Sequence, residues 1–180
     1  KVGTSAPRRV SQLRALRPDL DIRPLRGNIE TRMSYVERGE LDAIILAYAG
    51  LSRGGYADRA TEVFAPETLL PAPAQGALAV ECRAADAENV RALDSLVDEE
   101  ATACAAAERQ VLATLQAGCT APVAAYATRK ENGELTLRAG VFALDGATQL
   151  VETVTGTDAV EVGTRAAEAL VARGAKELME

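Results

Sequence analysis

Gly3-Thr4-Ser5-Ala6-Pro7-Arg8-Arg9 and Pro24-Leu25-Arg26-Gly27-Asn28-Ile29-Glu30-Thr31-Arg32, with one helix-like run between them, decide the fold. Ser5 is placed to cap a helix and Pro7 to open its first turn, since proline has its φ already helical. Arg8 and Arg9 then fall in that first turn, where the positive end of the helix dipole favours acids instead. The second segment repeats the arrangement: Arg26-Gly27-Asn28 makes a turn, Asn28 caps the next helix, and Arg32 sits in its opening turns. One cation at a helix start is usually an exposed accident. Four arginines around two adjacent starts read as anion sites, where backbone N–H groups, dipole and guanidinium forks all attract the same charge.

Working outward, Val10, Leu13 and Leu16 keep helical spacing up to Pro18, and Asp21–Leu25 reads as a short strand. Met33 and Val36 line a second helix that stops at Gly39, and the apolar run Asp42–Ala47 reads as a parallel strand buried on both faces. Alternating strands and helices of this length predict an open α/β sheet. Ligands of such sheets sit beyond the C-terminal strand ends, at helix starts. The arginine-bearing turns occupy that position, and Arg53, in Ala49-Gly50-Leu51-Ser52-Arg53-Gly54-Gly55, joins the same rim.

The chain has 180 residues, 48% hydrophobic and 26% charged, a globular composition with room for one large domain or two small ones. Its start at Lys1-Val2-Gly3, inside an expected strand, reads as a piece of something longer. The net charge of −6 is unevenly spread. Residues 1–60 carry eleven Lys and Arg against seven Asp and Glu, and the remainder carries nine against nineteen. An arginine bias in composition explains why lysine is scarce, but not why the positive charge clusters. No apolar run is long enough to span a membrane. Three cysteines, Cys82, Cys104 and Cys119, form neither a disulfide framework nor a zinc pattern, and fit a reducing cytoplasm. The absence of histidine excludes Ser-His-Asp and Cys-His catalysis within the chain and removes the commonest metal ligand, so no metal site is expected. Aromatic residues make up 3%, with no Trp, which argues against a base-stacking nucleic-acid platform.

Pro66 to Pro73 is a proline-rich crossing between two parts. Ala77–Cys82 is expected to be an apolar strand with Cys82 as a small buried hydrophobe, and a helix from Asp86 carries Val90, Leu93 and Val97. A long Ala-rich helix, Glu99–Ala117, has Cys104 in its core face and Gly118 as its stop residue. Cys119 lies in a loop between that Gly and Pro122, where an inert, half-buried thiol is the ordinary reading. Three antiparallel strands, Val123–Arg129, Leu135–Ala143 and Leu150–Thr155, turn at Asn132-Gly133 and Asp145-Gly146. A final helix runs Asp158–Arg173 to Gly174, giving residues 98–180 as an α+β domain.

Five blocks then carry a resemblance: V-G-T-S-A-P-R-R, L-R-G-N-I-E-T-R, D-A-I-I-L-A-Y-A-G-L-S-R, L-P-A-P-A-Q-G-A-L-A-V-E-C-R and A-G-C-T-A-P-V-A-A-Y-A. In order and spacing they resemble the porphobilinogen deaminase (hydroxymethylbilane synthase) family over essentially the whole chain. The resemblance implies a type II periplasmic-binding-protein-like α/β domain with an open mixed sheet, then a small α+β domain. It assigns 1–70 to the family's second domain, 71–97 to a segment returning to the first, and 98–180 to the third. It implies head-to-tail condensation of four porphobilinogen molecules into hydroxymethylbilane, with release of ammonia, in haem and tetrapyrrole biosynthesis. The cofactor implied is a dipyrromethane joined by a thioether to Cys119, which reverses the ordinary reading of that thiol. The carboxylate-binding set implied is Arg8, Arg9, Arg26, Arg32 and Arg53, with Thr4, Ser5, Gly27, Asn28 and Gln75.

Ala6-Pro7 stands where members often have Ser-Leu, and Ala117 where a second Gly is common, so cofactor contacts there differ. The family's catalytic aspartate has no counterpart among these blocks, so the chain alone is expected to be inactive and the complete enzyme to be a cytoplasmic monomer binding neither membrane nor nucleic acid. Two rival readings remain on residues alone. One is a non-catalytic carboxylate- or oxyanion-binding module, for which a thiol at Cys119 has no use. The other, nucleic-acid binding by residues 1–60, is opposed by the acidic overall charge and the few stacking residues.

Overall fold

The computed structural model describes residues 1–118 and 120–179. The first part is built from short parallel strands and helices: β1 (Val2–Gly3), α1 (Pro7–Leu16), β2 (Ile22–Arg23), α2 (Ile29–Glu37), β3 (Ala43–Ile44) and α3 (Tyr48–Arg53). The strand order is β2-β1-β3, with Val2 opposite Ile22 on one side and Ala43 on the other. The central β1 therefore feeds α1 at the point where neighbouring strands diverge, which is where α/β sheets bind ligands. All three strands run parallel; a mixed sheet would need an antiparallel member, and none joins this sheet among the described residues.

Several expectations change in this part. The run Asp42–Ala47 contributes only Ala43 and Ile44 to pairing, and its residues are half-buried or exposed, because β3 lies at the sheet's edge. Ser5 does not cap α1: the N-cap is Ala6, without a side-chain bond, and Pro7 takes the first helical position. Asn28 does cap α2, its Oδ1 accepting the Thr31 N–H at 2.8 Å.

Residues 77–86 form no strand, and Cys82 is exposed, so the buried-strand reading fails there. Leu78 and Val80 stand 74% and 62% exposed because nothing among the described residues lies against them. The next helix, α4 (Ala87–Asp94), starts on an Asp86 cap; beyond its end Leu96 and Val97 are again exposed.

The second part is α5 (Glu99–Leu115), β4 (Val123–Arg129), β5 (Leu135–Phe142), β6 (Gln149–Gly156) and α6 (Ala159–Ala172). The strands form an antiparallel meander in the order β4-β5-β6. Alternate residues face the two helices, so Leu135, Leu137, Ala139 and Val141 of β5 join Ala107, Val111, Val162, Ala166 and Leu170 in one core. Each fully buried Leu or Val there contributes about 1.5–3 kcal/mol of burial. Gly163 lets the helices touch: a Cβ at this position would lie 2.4 Å from the Ala107 carbonyl oxygen and 2.5 Å from Gln110 Cβ. Gly133 and Gly146, with φ of 84° and 82°, make the two hairpin turns. The left-handed residue ending α5 is Gln116, φ 54°, not Gly118. Cys104 is half-buried and packs against this core, in line with its expected place.

Candidate functional site

The C-terminal end of β1 is stitched to the turn after β2. The Thr4 N–H donates to the Arg23 carbonyl at 2.9 Å. Ser5 Oγ donates to the Leu25 carbonyl at 2.9 Å and accepts the Leu25 N–H at 2.7 Å. The hydroxyl expected to cap a helix thus holds the two arginine-bearing segments side by side. The parallel ladder on the other edge adds β3, with Ile45 N–H donating to the Gly3 carbonyl at 3.1 Å.

The result is a cavity of about 310 Å³ lined by Thr4, Ser5, Arg8, Arg9, Arg32 and Gln75, closed by Ala6, Leu25 and Ala47. Three arginines, Arg8, Arg9 and Arg32, line it, and among the described residues no acidic side chain does. Arg9 Nη1 donates to the Ile45 carbonyl at 2.9 Å and Nη2 to Gln75 Oε1 at 3.3 Å. Arg32 Nε donates to the Gly27 carbonyl at 2.7 Å, and its two terminal nitrogens have no hydrogen-bond partner among the described residues. Arg8 Nε is buried with no hydrogen-bond partner among the described residues.

These cations have unfavourable surroundings. Burial, then the charges of Arg8 and Arg32, pushes the Arg9 guanidinium down to about 10. Burial also lowers Arg8. A buried donor left unpaired costs roughly 1–3 kcal/mol, and more when charged. Anions would remove that cost, and bidentate guanidinium forks suit carboxylates.

Of the residues expected to bind carboxylates, the structure gathers Thr4, Ser5, Arg8, Arg9, Arg32 and Gln75. Gly27 and Asn28 act at one remove: the Gly27 carbonyl orients Arg32, and Asn28 caps its helix. Arg53 donates to the Gly76 carbonyl, beside Gln75. Arg26 is exposed and outside the cavity lining. Cys119 lies outside the described residues.

Two buried side chains outside the cavity lining, which hold the crossing that leads to Gln75, had no signal in the sequence. Gln12, buried in α1, donates to the Leu70 carbonyl at 3.0 Å and accepts the Leu70 N–H at 2.8 Å. Glu108, buried in α5, accepts N–H groups from Ala74 and Ala127. Their partners are backbone groups 58, 34 and 19 residues away, which no local pattern encodes. A larger cavity of about 440 Å³ adjoins Glu108, with Cys104, Tyr126, Asp98 and Glu100, but has no cation in its lining. Among the described residues no His/Cys/Asp/Glu group fit to hold a metal occurs, and no helix is long and apolar enough to cross a membrane.

Fold and site together define an α/β unit with an arginine-lined cavity, followed by an α+β domain. Residues 1–91 match the family model described as porphobilinogen deaminase, dipyrromethane cofactor binding domain, and residues 102–172 match the porphobilinogen deaminase C-terminal domain. The porphobilinogen deaminase of Corynebacterium glutamicum (strain R) is 58% identical across 99% of this chain and 61% of its own length. That of Nocardia farcinica is 51% identical across 99% of the chain and 55% of its own length. That of Mycobacterium marinum is 50% identical, over 99% and 60%. The chain belongs to the porphobilinogen deaminase family. It spans 55% to 61% of the length of these relatives.

Proposed function

We propose that this chain is the carboxylate-clamping and cofactor-anchoring portion of a hydroxymethylbilane synthase, which condenses four porphobilinogen molecules head to tail and releases ammonia. One observation carries the reading: three arginines converge on a cavity that no acid among the described residues lines, and the buried Arg8 Nε has no partner among them. That is a site short of anions. A dipyrromethane has four carboxylates, so the donor set fits it, and the family model matched over 1–91 is that of the dipyrromethane-binding domain. When bound, the cofactor supplies the terminal pyrrole to which each unit is joined.

The chain's own residues then have separate tasks. Arg8, Arg9 and Arg32 pair with acetate and propionate groups, and the Ser5 N–H and the Thr4 hydroxyl offer further donors at the end of β1, the Thr4 N–H and the Ser5 hydroxyl proton being taken by the neighbouring segment. Arg26 and Arg53 extend the positive rim toward longer products. Gln75 holds Arg9 in place for the same purpose. Cys119 is the attachment point, through its Sγ.

Ammonia loss leaves positive charge on a pyrrole, which arginines oppose and a placed carboxylate favours. Among the described residues no acid lines the arginine cavity, and we assign that carboxylate to residues outside this chain. The exposed Leu78, Val80, Leu96 and Val97 support the same division. Residues 1–70 then form the second, periplasmic-binding-protein-like domain, 71–97 return to a first domain, and 98–180 form the third. The complete protein is read as a cytoplasmic monomer.

Intact mass tests the anchor. The complete protein should exceed its sequence mass by two linked pyrroles, Cys119→Ser should lose that increment, and Cys82→Ser and Cys104→Ser should keep it. An unmodified mass in an active complete protein would overturn the assignment. The 180-residue chain alone should consume no porphobilinogen; turnover by it would place the missing acid among residues described here.

A further inference from the structure

The crossing between the two parts is pinned at successive points. Gln12 holds both backbone groups of Leu70, and the Ala125 N–H of β4 donates to the Pro71 carbonyl at 3.0 Å. Three residues on, Ala74 sits at φ 58°, a left-handed conformation uncommon for a residue with a Cβ. Its N–H donates to Glu108 Oε2 at 2.5 Å. The other oxygen, Oε1, accepts the Ala127 N–H of β4 at 2.7 Å. The residues that follow turn toward the arginines: Gln75 Oε1 accepts from Arg9, and the Gly76 carbonyl accepts from Arg53.

Glu108 is only 6% exposed, and no salt bridge reaches it among the described residues. Burial pushes its carboxyl above the usual range, and the two N–H bonds oppose that shift without cancelling it. A buried carboxylate without a cation is costly, and an apolar side chain at this position would extend the neighbouring core. What an apolar side chain cannot do is accept two N–H groups from two separate segments. A glutamine cannot either, since one of its two terminal atoms is a donor.

We propose that Glu108 is a positioning residue for the arginine cavity. By fixing Ala74 in its left-handed conformation against β4, it aims Gln75 at Arg9 and so sets the geometry with which the cavity takes a polycarboxylate. This rests on the proposed reading of that cavity. Glu108 touches no ligand itself; it acts through Ala74 and Gln75 from the opposite domain. The link gives the α+β domain a direct hold on the anion site of the α/β part.

Calorimetric titration of the 180-residue chain with butanetetracarboxylate tests it, alongside amide exchange at residues 74–76. Glu108→Gln should weaken binding about tenfold, the order expected for losing one hydrogen bond to a charged group, and should speed exchange at those amides. Gln75→Ala should weaken binding too. The double variant should be no weaker than the weaker single one, because both act on Arg9. Adding Ala74→Gly to Glu108→Gln should recover part of the affinity, since glycine holds a positive φ without the clamp. Should Glu108→Gln fail to fold, Ala74→Val, outside both cores, should give the same loss. Unchanged affinity in Glu108→Gln or Ala74→Val, with only a lower unfolding temperature, would overturn the proposal, as would additive losses with Gln75→Ala. A chain that binds no tetracarboxylate before any substitution would instead remove the cavity reading and this proposal with it.

Discussion

The two halves of this chain are held together by opposite means. Residues 99–179 bury an apolar core in which Leu137, Val141, Val162 and Leu170 are fully enclosed. Residues 1–76 have strands only two residues long, and besides Val2 and a few leucines their buried side chains are polar: Thr4, Ser11 and Gln12. The first half spends its interior on positive charge that no acid in the cavity neutralises, and the second half spends none. The apolar core is complete in itself, whereas Arg8 and Arg9 carry half-buried charge that burial disfavours.

The largest effect should come from breaking the scaffold. Gly163→Ala places a methyl 2.4 Å from the Ala107 carbonyl oxygen, which belongs to helix backbone and cannot swing aside. Separating α5 from α6 should cost about 3 kcal/mol, lowering the unfolding midpoint by roughly 10 °C in a thermal melt. A change within a degree would mean that the helices have slack the core does not show.

Breaking the site should leave the scaffold alone. Arg8→Leu removes a half-buried guanidinium whose Nε is buried with no partner among the described residues, so the unliganded protein should melt at the same temperature or higher. Affinity for a tetracarboxylate should fall by about tenfold to a hundredfold, and similarly for Arg9→Leu and Arg32→Leu. The reverse pattern, a lower melting point with intact affinity, would make these arginines structural and erase the contrast between halves.

The same contrast governs what the sequence alone discloses. The meander was legible because alternation, Asn132-Gly133 and Asp145-Gly146 are local signals, and β4 runs Val123–Arg129 as expected. Of the five arginines expected on one rim, Arg8, Arg9 and Arg32 come together because they sit close to two helix starts, whereas Arg26 and Arg53 lie outside the cavity lining. Ser5 was misread because a hydroxyl before a proline suits a cap or a cross-strand stitch equally, and only the path of Leu25 decides. Ala77–Cys82 is apolar enough for a strand, but a strand needs a neighbour, and Leu78 and Val80 have none among the described residues. Glu108 was invisible in an Ala-rich helix, since both of its partners are backbone groups brought there by the tertiary fold.

The smallest effect sharpens the comparison by showing which arginines do not belong to the site. Arg17 and Arg38 lie on the same α/β half, at the ends of α1 and α2, and composition alone cannot tell them from Arg8 or Arg32. Their surroundings can. Arg17 pairs with Asp19 at 2.7 Å and Arg38 with Glu40 at 2.6 Å, each with more than half of its side chain in solvent. The Asp19 bond, then its charge, raises Arg17, and the Glu40 bond raises Arg38, the opposite of what burial does to Arg8 and Arg9. An exposed pair gives back little, because water screens it and two flexible side chains must be ordered to form it. Arg17→Leu and Arg38→Leu should therefore change neither the melting temperature nor tetracarboxylate affinity measurably. They also remove one positive charge, as Arg8→Leu does. If either weakened tetracarboxylate binding as much as Arg8→Leu does, the site would be a diffuse positive field, and the converging guanidiniums of Arg8, Arg9 and Arg32 would not be its cause.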